Sequence, residues 1–458
     1  MRVENDLGKD KISSLVLRIA IPSMLAQFVS VFYSIVDRIY VGNIADVGTL
    51  ALAGVGICGP ILTMVGSVSF LIGTGGTPLM GMRMGEGNMK QAEHIMANAF
   101  VMLIGFAVVL TAVMMAIREP MLNMFGASGE TYIYAENYFK VYICGTIFAL
   151  LSTGMNQFII SQGFAKIGML SVMLGAVLNI ILDPIFIFVL DMGIQGAALA
   201  TVISQAASAA FVLRFLFSEK STIRITFGGY KVRTMLKILK IGMTPFLIIG
   251  FDNVMIIAMN SLLQKYGGAA QGDMLITCNT IVQSFMLMVT MPLGGISGGT
   301  QGILSYNFGA GQSDRVIKAE KNIMLLCVAY TTLMFLVART LEGSFVALFT
   351  KDAVIAEEAC RAIHICTAAV IPLGIQYAIV DGFTGMGQVQ VSLPLSAFRK
   401  IIYFVSIFIL PVIGGAKVIF YAEPISDIIG PIASVLVFFI VFKKILKNRE
   451  MERKMMAN

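Results

Sequence analysis

Asn179, Asp183 and Pro184 interrupt LNIILDPIFIF (178–188), a stretch otherwise suited to hydrocarbon or a dry core. The amide and the carboxylate are four residues apart and so share one face of a helix. Pro184 has no backbone N–H, which frees the carbonyl of Ile180 and loosens the helix beside the acid. A carboxylate in an apolar span costs about 3 kcal/mol at the helix centre and commonly marks an ion pathway or coupling site. An acid with a neutral amide oxygen beside it is chemistry for a proton or a small hard cation. The structural alternative is an acid that caps a proline-loosened helix and hydrogen-bonds a neighbour.

The rest of the chain must position these groups inside a membrane. Of 458 residues, 57% are hydrophobic and 13% charged, with a mean hydropathy of +0.85. Soluble proteins carry roughly 25% charged residues, so this chain cannot cover a water-facing surface. It reads as an all-α polytopic membrane protein. Six scattered cysteines without a CxxC pair read as buried inert thiols. His94 and His364 are too few for a metal site. The net charge of +7 comes from basic residues lying mostly between apolar stretches. It reports membrane orientation and not nucleic-acid binding.

Runs near 20 residues cross about 30 Å of hydrocarbon. Twelve are expected, at 15–38, 51–74, 95–117, 132–158, 167–190, 194–217, 236–262, 274–297, 321–341, 357–381, 394–414 and 422–442. The first lacks an A-x-A cleavage site and is read as a span, not a signal peptide. Lys and Arg crowd the linker between spans 6 and 7 and the tail after span 12, whereas 39–50 has only the acid Asp46 as a charge and 191–193 only Asp191. Both termini and the linker are therefore expected in the cytoplasm.

The halves repeat. AIPSMLAQ (20–27) aligns with MTPFLIIG (243–250), and the GGT of 75–77 with that of 298–300, both at an offset of 223; Gly-x-Gly follows at 224. A weaker match sets QGFAK (162–166) against TGMGQ (384–388) at 222. The expected architecture is 6+6, related by a pseudo-two-fold axis along the membrane normal. It comprises an N-terminal segment 1–14, bundles 15–217 and 236–442, a basic linker 218–235 and a basic tail 443–458.

The span 5 motif, the GGT and Gly-x-Gly loops and the 6+6 repeat together resemble the multidrug and toxic compound extrusion (MATE) family over essentially the whole chain. The nearest likeness is the prokaryotic branch of staphylococcal multidrug exporters and the DNA-damage-inducible F type. This implies a multi-pass protein of the cell (inner) membrane, a secondary active transporter and not an enzyme, coupled to H⁺ or Na⁺ and without other cofactor. It also implies a coupling site in the N-terminal bundle. The family pattern, an Asp late on helix 1, Asn-x-x-x-Asp-Pro on helix 5 and a Thr eighteen residues on, falls on Asp37, Asn179, Asp183 and Thr201.

Helical rise agrees with that grouping. Asp37 is about 28 Å from Arg18 and Asp183 about 25 Å from Lys166, while Thr201 lies about 10 Å inward from Ile194. All three fall in the outer half of the membrane. Two acids close together require a proton on one or a cation shared between both. The structural alternatives are a solvated acid for Asp37, next to Arg38, and a packing residue for Thr201.

In the second half, Asn260 takes the place of Asp37 and no acid matches Asp183. Asp252, about 18 Å beyond Lys240, is a candidate for cationic cargo. Asp381, near a helix end, is expected to be structural. Other cargo candidates by position are Phe32, Tyr33, Asn156, Gln157, Gln283 and Met286, since aromatic faces attract cations and Met adapts to varied shapes. No phosphate-binding loop and no DDxxD cluster occurs, which argues against ATP and against a membrane-embedded transferase. The nearest rival is a flippase of lipid-linked precursors. It should have a basic cavity, whereas the intramembrane polar groups read as mostly acidic. The expected partners are organic cations or zwitterions and the lipid bilayer, with the chain working as a monomer.

Overall fold

The computed structural model describes residues 5–45, 47–127 and 129–457. Among them are ten helices long and apolar enough to cross a membrane, and two bent pairs bring the number to twelve. They are α1 (Ile12–Gly42), α2 (Gly48–Gly85), α3 (Met89–Ala116), α4 (Tyr132–Cys144 with Thr146–Ser161), α5 (Ala165–Val189) and α6 (Gly193–Phe217). The second set is α7 (Val232–Gly268), α8 (Gln271–Gly309), α9 (Ser313–Thr340), α10 (Ala353–Cys366 with Val370–Gly385), α11 (Val389–Gly414) and α12 (Ala416–Met455). The protein is a multi-pass, all-α membrane protein.

The repeat is visible in the backbone. The corresponding helices α4 and α10 are both bent, by 55° and 49°. Gly163 and Gly387 both have positive φ, 95° and 71°, at the turns that lead into α5 and α11. Only glycine adopts that conformation without strain. These turns register at an offset of 224, which corrects the offset of 222 read from QGFAK and TGMGQ. Pairing TGMGQ two residues early had aligned the wrong glycine.

The GGT motifs also need correction. Gly75, Gly76 and Thr77 lie within helix α2 and are buried, and Gly298 and Gly299 lie within helix α8. They form no loop: Gly75 and Gly299 serve close packing between the halves, while Gly76 makes room for Phe158 of α4. Gly75 abuts the backbone of Ile238 and Gly242 on α7, and Gly295 and Gly299 abut Ser23 on α1. The contacts α2·α7 and α1·α8 are one contact repeated by the pseudo-two-fold.

Both termini lie on one face, which is closed. Asn5 Nδ2 donates to the Gly163 carbonyl (2.7 Å), while Asn307 and Arg315 donate to the Leu7 carbonyl (3.0 Å each). Arg449 on α12 forms an ion pair with Glu86 between α2 and α3. The 6–7 linker is pinned too: the Ile223 amide donates to Gln162 Oε1 (2.7 Å) and the Lys231 amide to Asn98 Oδ1 (3.0 Å).

A Cβ at Gly242 would overlap the Leu71 carbonyl, and backbone is slow to yield. Gly242→Ala is therefore expected to destabilise by about 1–3 kcal/mol. Gly56→Ala, in open space on α2, should be neutral or stabilising by up to about 1 kcal/mol. Thermal melting of both variants in detergent checks the contrast.

Candidate functional site: a carboxylate pair in the first bundle

Pro184 does not end α5. The chain continues through a π turn, Ile185–Val189, with the Leu190 amide donating to the Ile185 carbonyl (2.9 Å). Such widened turns are rare and gather at functional sites. Here the proline, lacking a donor, leaves the ladder to re-form one residue out of step. Asp183 sits at this junction and is fully buried.

Around it the structure gathers all four residues of the proposed coupling set. Asn179 Nδ2 donates to Asp183 Oδ1 (3.1 Å) and to Thr201 Oγ1 of α6 (3.3 Å). Thr201 Oγ1 in turn donates to the Ala197 carbonyl (3.0 Å). Asp37, on α1, faces the Asp183 carboxyl across the contact between α1 and α5. It is not a solvated acid beside Arg38: its Oδ1 is buried. Asp37 Oδ1, Asn179 Oδ1 and Asp183 Oδ2 are all buried without a hydrogen-bond partner. A buried polar atom left unpaired costs about 1–3 kcal/mol, more when charged. Three such oxygens at one point make an acceptor-only pocket suited to a proton or a small cation.

Tyr33, Tyr138 and Tyr142 lie close to Asp37, with Tyr138 and Tyr142 stacked at 5.9 Å. Gln205 Nε2 donates to the Tyr142 hydroxyl (3.1 Å). Of these, only Tyr33 was among the sequence candidates. Tyr138, Tyr142 and Gln205 carry no local signal beyond polar side chains inside apolar spans.

The cargo candidates separate. Phe32 is exposed, and Tyr33, Gln157 and Gln283 are half-buried. Asn156 and Met286 are buried in helix contacts. The amide of Asn156 donates to the Gly168 carbonyl (3.3 Å) and accepts from Ser171 (3.2 Å), tying α4 to α5. Met286 is buried in the core of the second bundle with Phe285 and Val289. Asp252 is not a free acid, because Lys400 of α11 pairs with it. Beside it Arg399 pairs with the fully buried Asp427 at 2.8 Å. The expectation of mostly acidic intramembrane groups is thus corrected: the second bundle is mixed in sign. Arg399 and Lys400 within span 394–414 were the available signal. Asp381 accepts a hydrogen bond from Ser297 at 2.5 Å.

The MatE family model matches residues 22–185 and 249–409, once in each half. The chain belongs to the MatE family. Among curated proteins it is similar to the multidrug export protein MepA of Staphylococcus aureus (strain N315), at 24% identity over 440 residues, covering 94% of this chain and 95% of that protein. MepA of Staphylococcus saprophyticus is 23% identical over 437 residues, with the same coverage. One similar solved structure is the outward-facing conformation of a multidrug resistance MATE family transporter (TM-score 0.88, 21% identity, 96% of this chain and 98% of that one). Another is a transporter of the MOP superfamily from Pyrococcus furiosus, described by the reverse polarity of its binding pocket (TM-score 0.89, 21% identity, the same coverage). The MatE chain is a secondary active transporter, not an enzyme, working by alternating access on small organic solutes.

Asp183→Asn keeps the size of the side chain and removes one of two facing acids, so it should leave thermal stability unchanged or raised. Asn179→Leu strips Asp183 of its donor and should lower stability by about 1–3 kcal/mol. Melting curves of the purified protein in detergent test the opposite signs.

Proposed function

We propose that this transporter exports lipophilic organic cations or zwitterions in exchange for H⁺ or Na⁺ bound by Asp37 and Asp183, with Asn179 and Thr201 as neutral ligands. The observation that carries this reading is the convergence of three buried, unpartnered acceptor oxygens beside the proline-induced π turn. An entering cation neutralises the facing acids, and α1 and α5 repack around it. Because cation and cargo then differ in affinity between the two states, one gradient drives the other. The names of the MepA relatives support multidrug cargo.

In this reading the units 15–217 and 236–442 are the moving bodies, and one copy of the chain suffices. The gradient, not ATP, is the fuel. The basic linker and tail support cytoplasmic termini in the cell (inner) membrane. The closed face is then cytoplasmic, so the state described faces outward. A flippase of lipid-linked precursors is less favoured. Its pyrophosphate cargo needs free basic groups in the cavity, whereas Lys400 and Arg399 are each held by an acid.

The test is uptake of a lipophilic cationic dye into proteoliposomes under a proton gradient and, separately, a sodium gradient. Asp37→Asn and Asp183→Asn should abolish gradient-driven transport while dye binding survives. Thr201→Val should weaken the apparent affinity for the coupling ion about tenfold, one hydrogen bond's worth. Unchanged transport in Asp183→Asn would make that acid structural. Lys400→Met, which frees Asp252, is expected to tighten binding of the cationic dye; unaltered binding would remove Asp252 from the cargo site.

A further inference from the structure

Comparison of the two halves points to a second acid pair that the coupling site does not use. The glycines Gly85 and Gly87 correspond to Gly309 and Gly311 at an offset of 224, and the helices that follow start at Met89 and Ser313. In that register Glu320 of α9 takes the place of Met96 of α3. The turn glycines Gly163 and Gly387 similarly pair Asp381 with Gln157. The fold therefore tolerates a methionine and a neutral amide at these positions and does not itself require acids.

Glu320 is 2% exposed, and both of its carboxylate oxygens are without a partner. Its carboxyl packs on the backbone of α10, where Gly382 leaves room: a Cβ there would lie 2.6 Å from Oε2. The residue before it is Asp381, which accepts from the Ser297 hydroxyl of α8 (2.5 Å) and lies near Gln301 of the same helix and near Glu320. Among the described residues no lysine, arginine or histidine forms an ion pair with either acid. The other titratable groups facing the pair are Cys327 of α9 and Tyr377 of α10. From α1 and α12 the surrounding core includes the apolar side chains of Leu15, Ile19 and Phe442.

We infer that Glu320 and Asp381 form a second proton-binding site, in the C-terminal bundle, whose exchangeable proton sits on Glu320 beside the Asp381 carboxylate. Two buried carboxylates at one site cannot both stay charged without a cation between them. The cation is a proton. The Glu320 carboxyl lies directly on the Gly382 backbone, and the neighbouring polar groups are directed at Asp381, so a metal ion with its shell of oxygens has no place. The site is separate from the Asp37–Asp183 pair. Glu320 stands seven residues into α9, about 10 Å from its start at the face of the termini. Ser297, moreover, lies between Gly295 and Gly299, the two residues of α8 that abut Ser23 of α1. Gain or loss of the proton therefore acts on the helix that forms the seam between the bundles.

Infrared difference spectra of the purified full-length protein, recorded over a pH series in H₂O and D₂O, test this directly. A protonated-carboxyl band that titrates with pH and shifts in D₂O is expected, lost in Glu320→Gln and retained in Asp183→Asn. Glu320→Met, which installs the residue of the first repeat, should fold and also lose the band. Asp381→Asn should shift it. The proposal is overturned if the titrating bands of Glu320→Gln and Glu320→Met match those of the wild type. It is equally overturned if the band that Glu320 contributes responds to sodium but not to pH. Because the Asp183→Asn variant retains this band, failure of the first-bundle coupling site would leave the result readable.

Discussion

A charge that leaves water must be met by another charge or be neutralised, and that constraint sorts the ionisable groups inside this transporter. In the second bundle, Asp252 with Lys400 and Asp427 with Arg399 are compensated by permanent cations. Breaking the Arg399–Asp427 pair strands a fully buried carboxylate, at a cost of about 3–5 kcal/mol, so that contact behaves as a fixed part; Asp252 is part-exposed and its pair is the looser of the two. Asp37 and Asp183 form no ion pair among the described residues, and three oxygens there have no hydrogen-bond partner. Only a group of the second kind responds to an ion that comes and goes. The division between rigid and switchable charge follows from which carboxylates the fold supplies with a base.

The second requirement of alternating access is a seam that can open. Here it is made of close glycine contacts: Gly75 against the backbone of Gly242 on one side of the pseudo-two-fold, and on the other Gly295 against the backbone and Gly299 against the side chain of Ser23. Small residues let helices approach closely where lipid offers no hydrophobic drive for association. Such contacts are made or lost as a unit, which suits two discrete packings. The polar ties at the closed face, Arg449 with Glu86 and the Leu7 carbonyl with Asn307 and Arg315, are exposed to competition from water once the seam parts. The face of the termini thus combines a close fit with a latch that water can replace.

Helix α5 links the two requirements. Pro184 and the π turn after it place the carboxyl of Asp183 at the one point where the backbone ladder is already out of step. Neutralising that carboxyl changes packing against α1, and α1 carries both Asp37 and Ser23. One helix therefore contributes to the ion site and to the seam, about 21 Å apart along its axis by helical rise over the fourteen residues between them.

Much of this was legible in the chain. Hydropathy located the spans, because burial in hydrocarbon is decided segment by segment. The repeat was visible because each half must solve the same packing problem. Asp183 and Asn179 stood out because a polar group in an apolar run has no local excuse. The GGT motifs were misplaced as loops, since glycine marks both turns and close helix contacts and sequence does not separate the two. Lys400 and Arg399 went unweighed although they lie in a span, and Glu320 fell one residue outside the expected boundary of its helix. The approach of Asp37 to Asp183, 146 residues apart, was already expected; what only the tertiary structure decided was the other pairings, Lys400 against Asp252, 148 apart, Arg399 against Asp427, and Glu320 beside Asp381. Whether an acid is neutralised by a base or left to wait for a cation depends on which helix faces meet, and that is a property of the packed bundle, not of any single segment.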